Sequence, residues 1–147
     1  MSLLGKLTEE LKAALKAHDK FRVNTLRMLI SQLKNAQINA GTELSPEQEL
    51  DEIISAAKKR KESIQAYQAG GRQDLFENEQ TELEIIKEFL PKQMSESEVE
   101  HEIEKVIQET GATSIKDLGK VMGEVMARLK GKADGKKVQA MVRAKLI

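Results

Sequence analysis

The sequence predicts an all-α protein in which an N-terminal bundle of long helices is followed by a compact three-helix C-terminal domain. Apolar residues recur every three or four positions along most of the 147 residues, which is the spacing of amphipathic helices. No stretch alternates polar and apolar residues for long enough to form a strand. The apolar residues are mainly Leu, Ile, Val, Ala and Met, with three Phe, one Tyr and no Trp, and this composition favours helix.

Two helices are expected at the start of the chain. The first should run from Ser2 to about Ala17, where His18-Asp19 breaks the apolar pattern. Asp19 can cap the second helix, because its carboxylate can accept hydrogen bonds from the free N–H groups of a first turn. The second helix should end near Ala40-Gly41.

Two further helices complete the expected N-terminal domain. Ser45-Pro46-Glu47-Gln48 starts the third, because serine caps, proline fits the first helical position and Gln48 completes a capping box. Its middle carries four consecutive cations, Lys58–Lys61, which are typical of a charged stripe on an exposed helix. Gly70-Gly71 should end it, and a fourth, acidic helix should then span roughly Gln73 to Leu90.

The best domain boundary is Leu90-Pro91-Lys92-Gln93-Met94, because proline both stops a helix and stiffens the joint. We therefore expect one domain at residues 1–91 and a second at residues 92–147. In the second domain, Ser95–Glu98 forms a capping box for a fifth helix that ends at Gly111. Ser114, with Asp117 three residues later, should cap the sixth helix.

The sixth helix carries a ridge of small residues, Gly119, Gly123 and Ala127. Glycine inside a helix costs roughly 0.5–1 kcal/mol relative to alanine, so a specific reason is needed for these positions. Such a ridge lets another backbone approach closely. That backbone is either a neighbouring helix or a sugar-phosphate chain, and the sequence leaves both interpretations open.

The turn after the sixth helix gathers positive charge. Gly131 occupies the position at which a left-handed residue ends a helix, and Asp134 should cap the last helix. Lys136 and Lys137 then lie in the first turn of that helix, with Lys132 nearby. Cations at a helix N-terminus form an arrangement that binds phosphate, whereas a solvated lysine-rich turn is the alternative. A capping carboxylate would use donors that an anion also needs.

The charge is zero overall but unevenly distributed. From Ala112 onward there are nine Lys and Arg against three Asp and Glu, a net charge of +6. From Asp74 to Glu104 there are eleven acids and two bases, a net charge of −9. The basic tail is typical of a protein that binds a polyanion, but it could instead dock on the acidic middle of the same chain.

Several classes of site are not predicted. The chain has no cysteine, which excludes disulfides and thiolate chemistry, and no apolar run long enough to span a membrane. His18 and His101 lack the spacing of zinc ligands, no nucleophile elbow is present, and Gly131-Lys132-Ala133 does not complete a phosphate-binding loop. We expect no catalytic residues, no metal and no cofactor. Since the N-terminus also lacks a signal-peptide pattern, we expect a cytoplasmic protein.

Several motifs, spread over nearly the whole chain, resemble a known family. They include Arg27-Met28, Gly71–Leu75, Leu90–Ser95, Leu118-Gly119 and Lys130-Gly131-Lys132-Ala133. Together they resemble the free-standing YqeY family, which shares a GatB/YqeY domain with the C-terminal tail of GatB, a subunit of the tRNA-dependent amidotransferase. The resemblance implies tRNA as a ligand and places the amidotransferase chemistry in a catalytic core that this chain lacks.

The first functional hypothesis is a non-catalytic RNA-binding or RNA-positioning module, with tRNA or another structured RNA as its partner. The scarcity of aromatic residues argues against stacking on exposed bases, so recognition should rely on the RNA backbone. The small residues would permit close approach and the cations would contact phosphates. The predicted site comprises Lys120, Lys130, Gly131, Lys132, Lys136, Lys137 and Gly123, with Arg128 and Lys116 as weaker candidates.

Two other hypotheses remain. One is a protein-interaction adaptor, in which the long helices from Ser45 to Leu90 present the Lys58–Lys61 stripe and an acidic face to a protein partner. The other is carbon–nitrogen ligase activity with glutamine as amido donor, which follows only from the resemblance to GatB. No catalytic constellation in the sequence supports it, and no membrane partner is expected.

Overall fold

A computed structural model describes residues 2–147, and over that range its secondary structure consists of helices with no strand, which confirms the all-α prediction. It contains seven α-helices and one short 3-10 helix, the latter at Ile115–Asp117. The α-helices are α1 (Leu3–Lys16), α2 (Lys20–Ala40), α3 (Pro46–Ala69), α4 (Gln73–Lys87), α5 (Glu96–Thr110), α6 (Leu118–Leu129) and α7 (Gly135–Leu146). The chain divides into two compact units, of which the first ends at Leu90 and the second begins at Pro91.

The first unit is built on one apolar core between α1, α2, α3 and α4. In it α1 pairs with α2 and α3 pairs with α4, as expected for helices joined by short turns. Each fully buried leucine or isoleucine contributes about 1.5–3 kcal/mol of hydrophobic free energy. The side chains buried most completely in this unit are Leu7, Leu26, Leu29, Leu33, Ile53 and Ile86.

Helix starts in the first unit follow the capping signals of the sequence. The Asp19 carboxylate accepts a hydrogen bond from the Arg22 N–H at 3.1 Å. Ser45 and Gln48 form the expected capping box, with the Gln48 N–H donating to Ser45 Oγ at 3.2 Å and the Ser45 N–H donating to Gln48 Oε1 at 2.9 Å. These local bonds satisfy donors that every helix N-terminus leaves free.

Helix α4 is shorter than expected, because it ends at Lys87 and not at Leu90. The N–H groups of Glu88, Phe89 and Leu90 each donate to a carbonyl three residues earlier, at 3.2, 3.0 and 3.1 Å. These bonds are those of a tighter 3-10 turn. The reason lies in Pro91, whose ring disfavours the α conformation at the residue before it, so the helix tightens and stops early.

The buried Glu49 is the main feature of this unit that the sequence did not reveal. Its side chain is only 4 % exposed although it is a carboxylate. Its two oxygens accept hydrogen bonds from the backbone N–H groups of Leu3, at 3.3 Å, and Leu4, at 3.0 Å. An acidic residue of α3 therefore caps the N-terminus of α1, where negative charge also interacts favourably with the helix dipole.

The second unit is a separate apolar core between α5, α6 and α7, each of which contacts the other two. The 3-10 helix packs against both α6 and α7. Helix α5 begins with the expected capping box, in which the Glu98 N–H donates to Ser95 Oγ at 3.2 Å. The buried residues of this core are Val99, Ile103, Val106, Val121, Val125, Leu129, Val138, Val142 and Leu146.

We predict that Glu49→Ala destabilises the protein by about 1–3 kcal/mol, because it leaves two part-buried backbone donors without an acceptor. The measurement is urea unfolding followed by circular dichroism. Glu43→Ala is the matched control, since Glu43 is exposed in the loop between α2 and α3. Equal unfolding free energies for the two variants would contradict the capping role of Glu49.

Candidate nucleic-acid interface

The turn between α6 and α7 is the centre of the candidate site. Gly131 has a φ of 76°, which confirms the left-handed conformation expected there. The Lys132 N–H donates to the Leu129 carbonyl at 2.8 Å and so closes the turn. Asp134 caps α7 as predicted, since its carboxylate accepts from the Lys136 N–H at 3.0 Å. One of the donors at this helix start is therefore already used.

The turn is also fastened to the segment that precedes α5. The Gln93 side-chain amide donates to the Gly131 carbonyl at 2.6 Å, and the Met94 N–H donates to the Lys132 carbonyl at 2.9 Å. Met94 in addition packs against the apolar core of the second unit. Two carbonyl groups of the lysine-rich turn are thus held by residues almost forty positions away, which restricts the conformations of the turn.

A further cation, Lys92, precedes the fastening residues in the sequence. Lys92 is exposed and directly precedes Gln93, whose side chain bonds Gly131. The sequence suggested only a domain boundary at Leu90–Met94, because no local pattern reveals a hydrogen bond between segments so far apart. The one sequence feature that marked this segment was its resemblance to the YqeY family, and that resemblance assigned no role to Lys92 or Gln93.

The predicted lysines fall into two groups along α6. Lys116 and Lys120 lie at its N-terminal end, whereas Lys132, Lys136 and Lys137 lie beyond its C-terminal end. A helix of 12 residues is about 18 Å long at 1.5 Å per residue. All five are exposed and, within residues 2–147, form no ion pair. A sixth predicted lysine, at position 130, is half-buried.

The ridge of small residues runs along α6 between these two groups. Gly119, Gly123 and Ala127 are exposed, and a Cβ built on Gly119 or Gly123 would meet no described atom within 4 Å. No neighbouring helix of the described chain therefore packs closely at these two glycines. This excludes the interpretation in which the ridge serves to pack α6 against another helix of the same unit. The acidic Glu124 is also exposed on this helix.

Arg128 differs from the predicted lysines because it is paired. Its guanidinium donates to the Glu109 carboxylate and lies 3.8 Å from Glu102, both on α5. The hydrogen bond to Glu109 and the attraction of nearby carboxylates raise the pKa of Arg128 above its ordinary value. The charge of Arg128 is therefore neutralised by carboxylates of α5.

Lys145 is neutralised by the same acidic helix. Its ammonium group donates to Glu104 at 2.8 Å and to Glu100 at 3.0 Å, and these bonds raise the pKa of Lys145. Some of the cations after Ala112 are thus neutralised by carboxylates of α5 within the second unit. Carboxylates of α5 pair with Arg128 and Lys145, whereas the five exposed lysines beside α6 form no ion pair within residues 2–147.

Ser114 and Asp117 do not cap α6 as expected, because a 3-10 turn intervenes: their capping box starts the 3-10 helix Ile115–Asp117, and α6 begins at Leu118 with no side-chain cap. The Asp117 carboxylate accepts from the N–H groups of Thr113, at 3.0 Å, and Ser114, at 3.4 Å. These backbone bonds, followed by the attraction of Lys120, lower the pKa of Asp117 below its ordinary value of 3.8. The segment at Thr113 and Ser114, which leads into the 3-10 helix that carries Lys116, is therefore held by an ionised carboxylate.

The cationic stripe on α3 is split between two environments. Arg60 is half-buried and lies 2.6 Å from Glu82 and 3.3 Å from Glu79, both on α4. Burial and the neighbouring Glu82 raise the pKa of Glu79. Lys58 and Lys59 remain exposed. The four consecutive cations therefore do not form one continuous surface.

In the described part of the chain, no group of three or more His, Asp or Glu residues is arranged to hold a metal ion. None of the described helices is long and apolar enough to cross a membrane. What the site offers chemically is exposed ammonium groups beside a smooth helix surface, which suits an anionic ligand.

A family model described as Yqey-like protein matches residues 4–146. The chain belongs to this YqeY-like family. The match covers both units, and it confirms the family resemblance inferred from the sequence motifs.

Several fungal relatives of this YqeY-like chain are named "Altered inheritance of mitochondria protein 41, mitochondrial". The protein of Lachancea thermotolerans is 34 % identical over 109 residues, covering 72 % of this chain and 58 % of its own length. That of Vanderwaltozyma polyspora is 32 % identical over 124 residues, covering 80 % and 66 %. That of Saccharomyces cerevisiae strain YJM789 is 30 % identical over 104 residues, covering 69 % and 56 %. The chain spans roughly half to two thirds of these relatives.

The expectation of a cytoplasmic protein is wrong, because these relatives are named as mitochondrial proteins. The sequence argument relied on the lack of a membrane span and of a secretory pattern. Neither feature distinguishes the cytoplasm from an aqueous compartment inside an organelle, since the same helices fold in both.

We predict that Gln93→Ala loosens the turn between α6 and α7, because it removes the side-chain donor to the Gly131 carbonyl. Amide hydrogen exchange of residues 131–133 should become faster, and the protein should lose about 0.5–1.5 kcal/mol of stability. Gln139→Ala, at an exposed position of α7, is the control and should leave this exchange unchanged. Exchange at wild-type rates in Gln93→Ala would show that the hydrogen bond does not restrain the turn.

Asp117 should make stability pH-dependent in acid. Its folded pKa is lowered, so its contribution is fully present above the unfolded value of 3.8 and is lost as the pH falls through the folded value. Asp117→Asn should therefore lose less unfolding free energy than the wild type between about pH 6 and about pH 3. Glu96→Gln, exposed in the first turn of α5, is the control. An unchanged pH dependence in Asp117→Asn would contradict the role of the carboxylate.

Proposed function

We propose that the chain is a non-catalytic RNA-binding or RNA-positioning module that contacts the phosphate backbone of tRNA or another structured RNA through the second unit. The observation that carries this proposal is the set of five exposed lysines beside α6 and α7 that form no ion pair within residues 2–147. Arg128 and Lys145, in contrast, are paired with α5. Several exposed cations without an ion pair on one small unit favour a polyanionic ligand.

The spacing of the lysines supports a backbone ligand in preference to a single phosphate. Because α6 is about 18 Å long, lysines at its two ends cannot contact one phosphate and can contact different phosphates of one strand. The exposed ridge of Gly119, Gly123 and Ala127 lies between the two lysine groups and lacks bulky side chains. A sugar-phosphate chain can therefore approach the backbone of α6 between its charged ends.

The start of α7 and the turn before it would contribute to RNA binding in different ways. At the start of α7 the helix dipole adds to the charges of Lys136 and Lys137, although Asp134 already takes one N–H donor. Lys132 lies in the fastened turn, so its backbone loses little freedom on binding. Pre-ordering of this kind strengthens binding without an added contact.

The proposed organisation assigns different roles to the two domains. Residues 1–91 form a bundle of long helices, and residues 92–147 form a compact three-helix domain that contacts the RNA. The choice of tRNA follows the resemblance of the second domain to the GatB tail. A working relation to a glutamine-dependent amidotransferase would be that of a positioning module, since no catalytic constellation was found in the sequence.

We expect Lys132→Ala/Lys136→Ala to weaken binding of bulk tRNA and to flatten its salt dependence. Five phosphate contacts give a slope of log K against log salt of roughly −3.5 to −4.5, and losing two reduces its magnitude by about 1.4–1.8. Filter binding at several salt concentrations measures the slope. Lys12→Ala/Lys105→Ala, which removes the same charge from α1 and α5, is the control. An unchanged slope in the first variant, or no binding by the wild type, would refute the proposal.

A further inference from the structure

Helix α2 carries an unusual charge pattern for a surface helix. Its 21 residues contain four cations, Lys20, Arg22, Arg27 and Lys34, and no carboxylate. Arg22 is satisfied within the unit, since it pairs with Glu88 at 2.7 Å and with Glu10 at 3.0 Å. The other three are exposed and form no ion pair within the described chain. A solvated helix face usually mixes both signs of charge.

The three unpaired cations share one face because they are spaced seven residues apart, which is close to two helical turns. The opposite face of α2 is fixed by the buried Leu26, Leu29 and Leu33. The cationic face is therefore directed away from the core by packing, and it cannot rotate inward. Neutral hydrogen-bonding side chains accompany the cations, with Ser31, Asn35 and Asn39 all exposed on the same helix.

A groove of about 430 Å³ adjoins this face, between α2 and α3. Asn35 and Asn39 line it from α2, and Lys59 lines it from α3. The Gln32 amide holds the two walls together, because it donates to the carbonyl and to the carboxylate of Glu52, both at 2.9 Å. The acidic Glu52 is thus already hydrogen-bonded within the wall.

We propose that the exposed face of α2, together with Lys59 across the groove, is a second contact surface for the phosphodiester backbone of RNA. Arg27 and Lys34 pair with phosphates, and Asn35 and Asn39 donate to phosphate or ribose oxygens. The inference rests on the proposed RNA binding of the chain and extends it to the first unit. None of the residues predicted from the sequence as RNA contacts lies in this unit.

The types of side chain on the exposed face of α2 favour RNA over an acidic protein helix as the ligand. Phosphate and sugar oxygens are contacted mainly by Arg and Lys together with Ser, Asn and Gln, which is the set found here. A helix docking in a groove needs several apolar anchors. On this face Ile38, which is 75 % exposed, is the large apolar side chain that stands in solvent. The exposed side chains of this face are therefore mainly charged or amide groups, which suits an RNA backbone better than a protein helix.

The test is the affinity of the full chain for bulk tRNA at about 0.1 M salt. Each phosphate contact contributes about 5- to 8-fold in affinity under these conditions, so Arg27→Ala/Lys34→Ala should bind roughly 25- to 60-fold more weakly. Lys6→Ala/Lys12→Ala removes the same charge from exposed positions of α1 and should bind like the wild type. Circular dichroism melts verify that both double variants remain folded.

Parallel measurement of Lys132→Ala/Lys136→Ala separates the two proposals. If that variant binds weakly while Arg27→Ala/Lys34→Ala binds as the wild type does, the α2 surface is refuted and the second-unit site stands. If only Arg27→Ala/Lys34→Ala binds weakly, the α2 surface stands and the second-unit site is refuted. If the wild type does not bind tRNA, both are refuted.

A second measurement does not depend on substituting the cations. A photoreactive amino acid introduced at Asn35 should cross-link to tRNA, whereas the same group at Glu9 on α1 should not. Excess polyglutamate is the competitor, and it should reduce the cross-link much less than excess unlabelled tRNA does. Equal competition by the two polymers, or no cross-link at Asn35, would overturn the assignment to RNA.

Discussion

Two hydrogen bonds fasten the turn between α6 and α7, and the candidate interface depends on them. The Gln93 amide holds the Gly131 carbonyl and the Met94 N–H holds the Lys132 carbonyl, so a segment before α5 restrains the end of α6. Because like charges repel, a lysine-rich turn would otherwise favour expanded conformations. With the turn restrained, its cations are presented from a fixed backbone, and the start of α7 follows in a fixed position.

Charge is distributed inside the second unit by the same packing. Helix α5 is acidic, and its carboxylates face Arg128 on α6 and Lys145 on α7. These pairs are largely exposed, so each adds little to stability. Their main consequence is to separate the cations into two classes. Arg128 and Lys145 are neutralised by carboxylates of α5, whereas Lys116, Lys120, Lys132, Lys136 and Lys137 form no ion pair within residues 2–147.

Local signals predicted most of the secondary structure, because caps and helical periodicity act within one or two turns. The capping box at Ser45 and Gln48, the cap at Asp134 and the left-handed Gly131 all occur as expected. The sequence predicted that Pro91 stops α4, but it did not predict that the last three residues before Pro91 form a tighter 3-10 turn. Glu49 and Gln93 were missed because their partners lie about forty or more residues away.

The sequence by itself determined an all-helical chain, the positions of its helix starts and a surplus of positive charge near the C-terminus. It did so because helix formation, capping and net charge depend on near neighbours and on composition. Only the tertiary structure decided which cations are neutralised, that the ridge on α6 is open, and that α2 has an exposed face without acids beside a groove. Those properties depend on which helix packs against which, and the packing is set by contacts between distant parts of the chain.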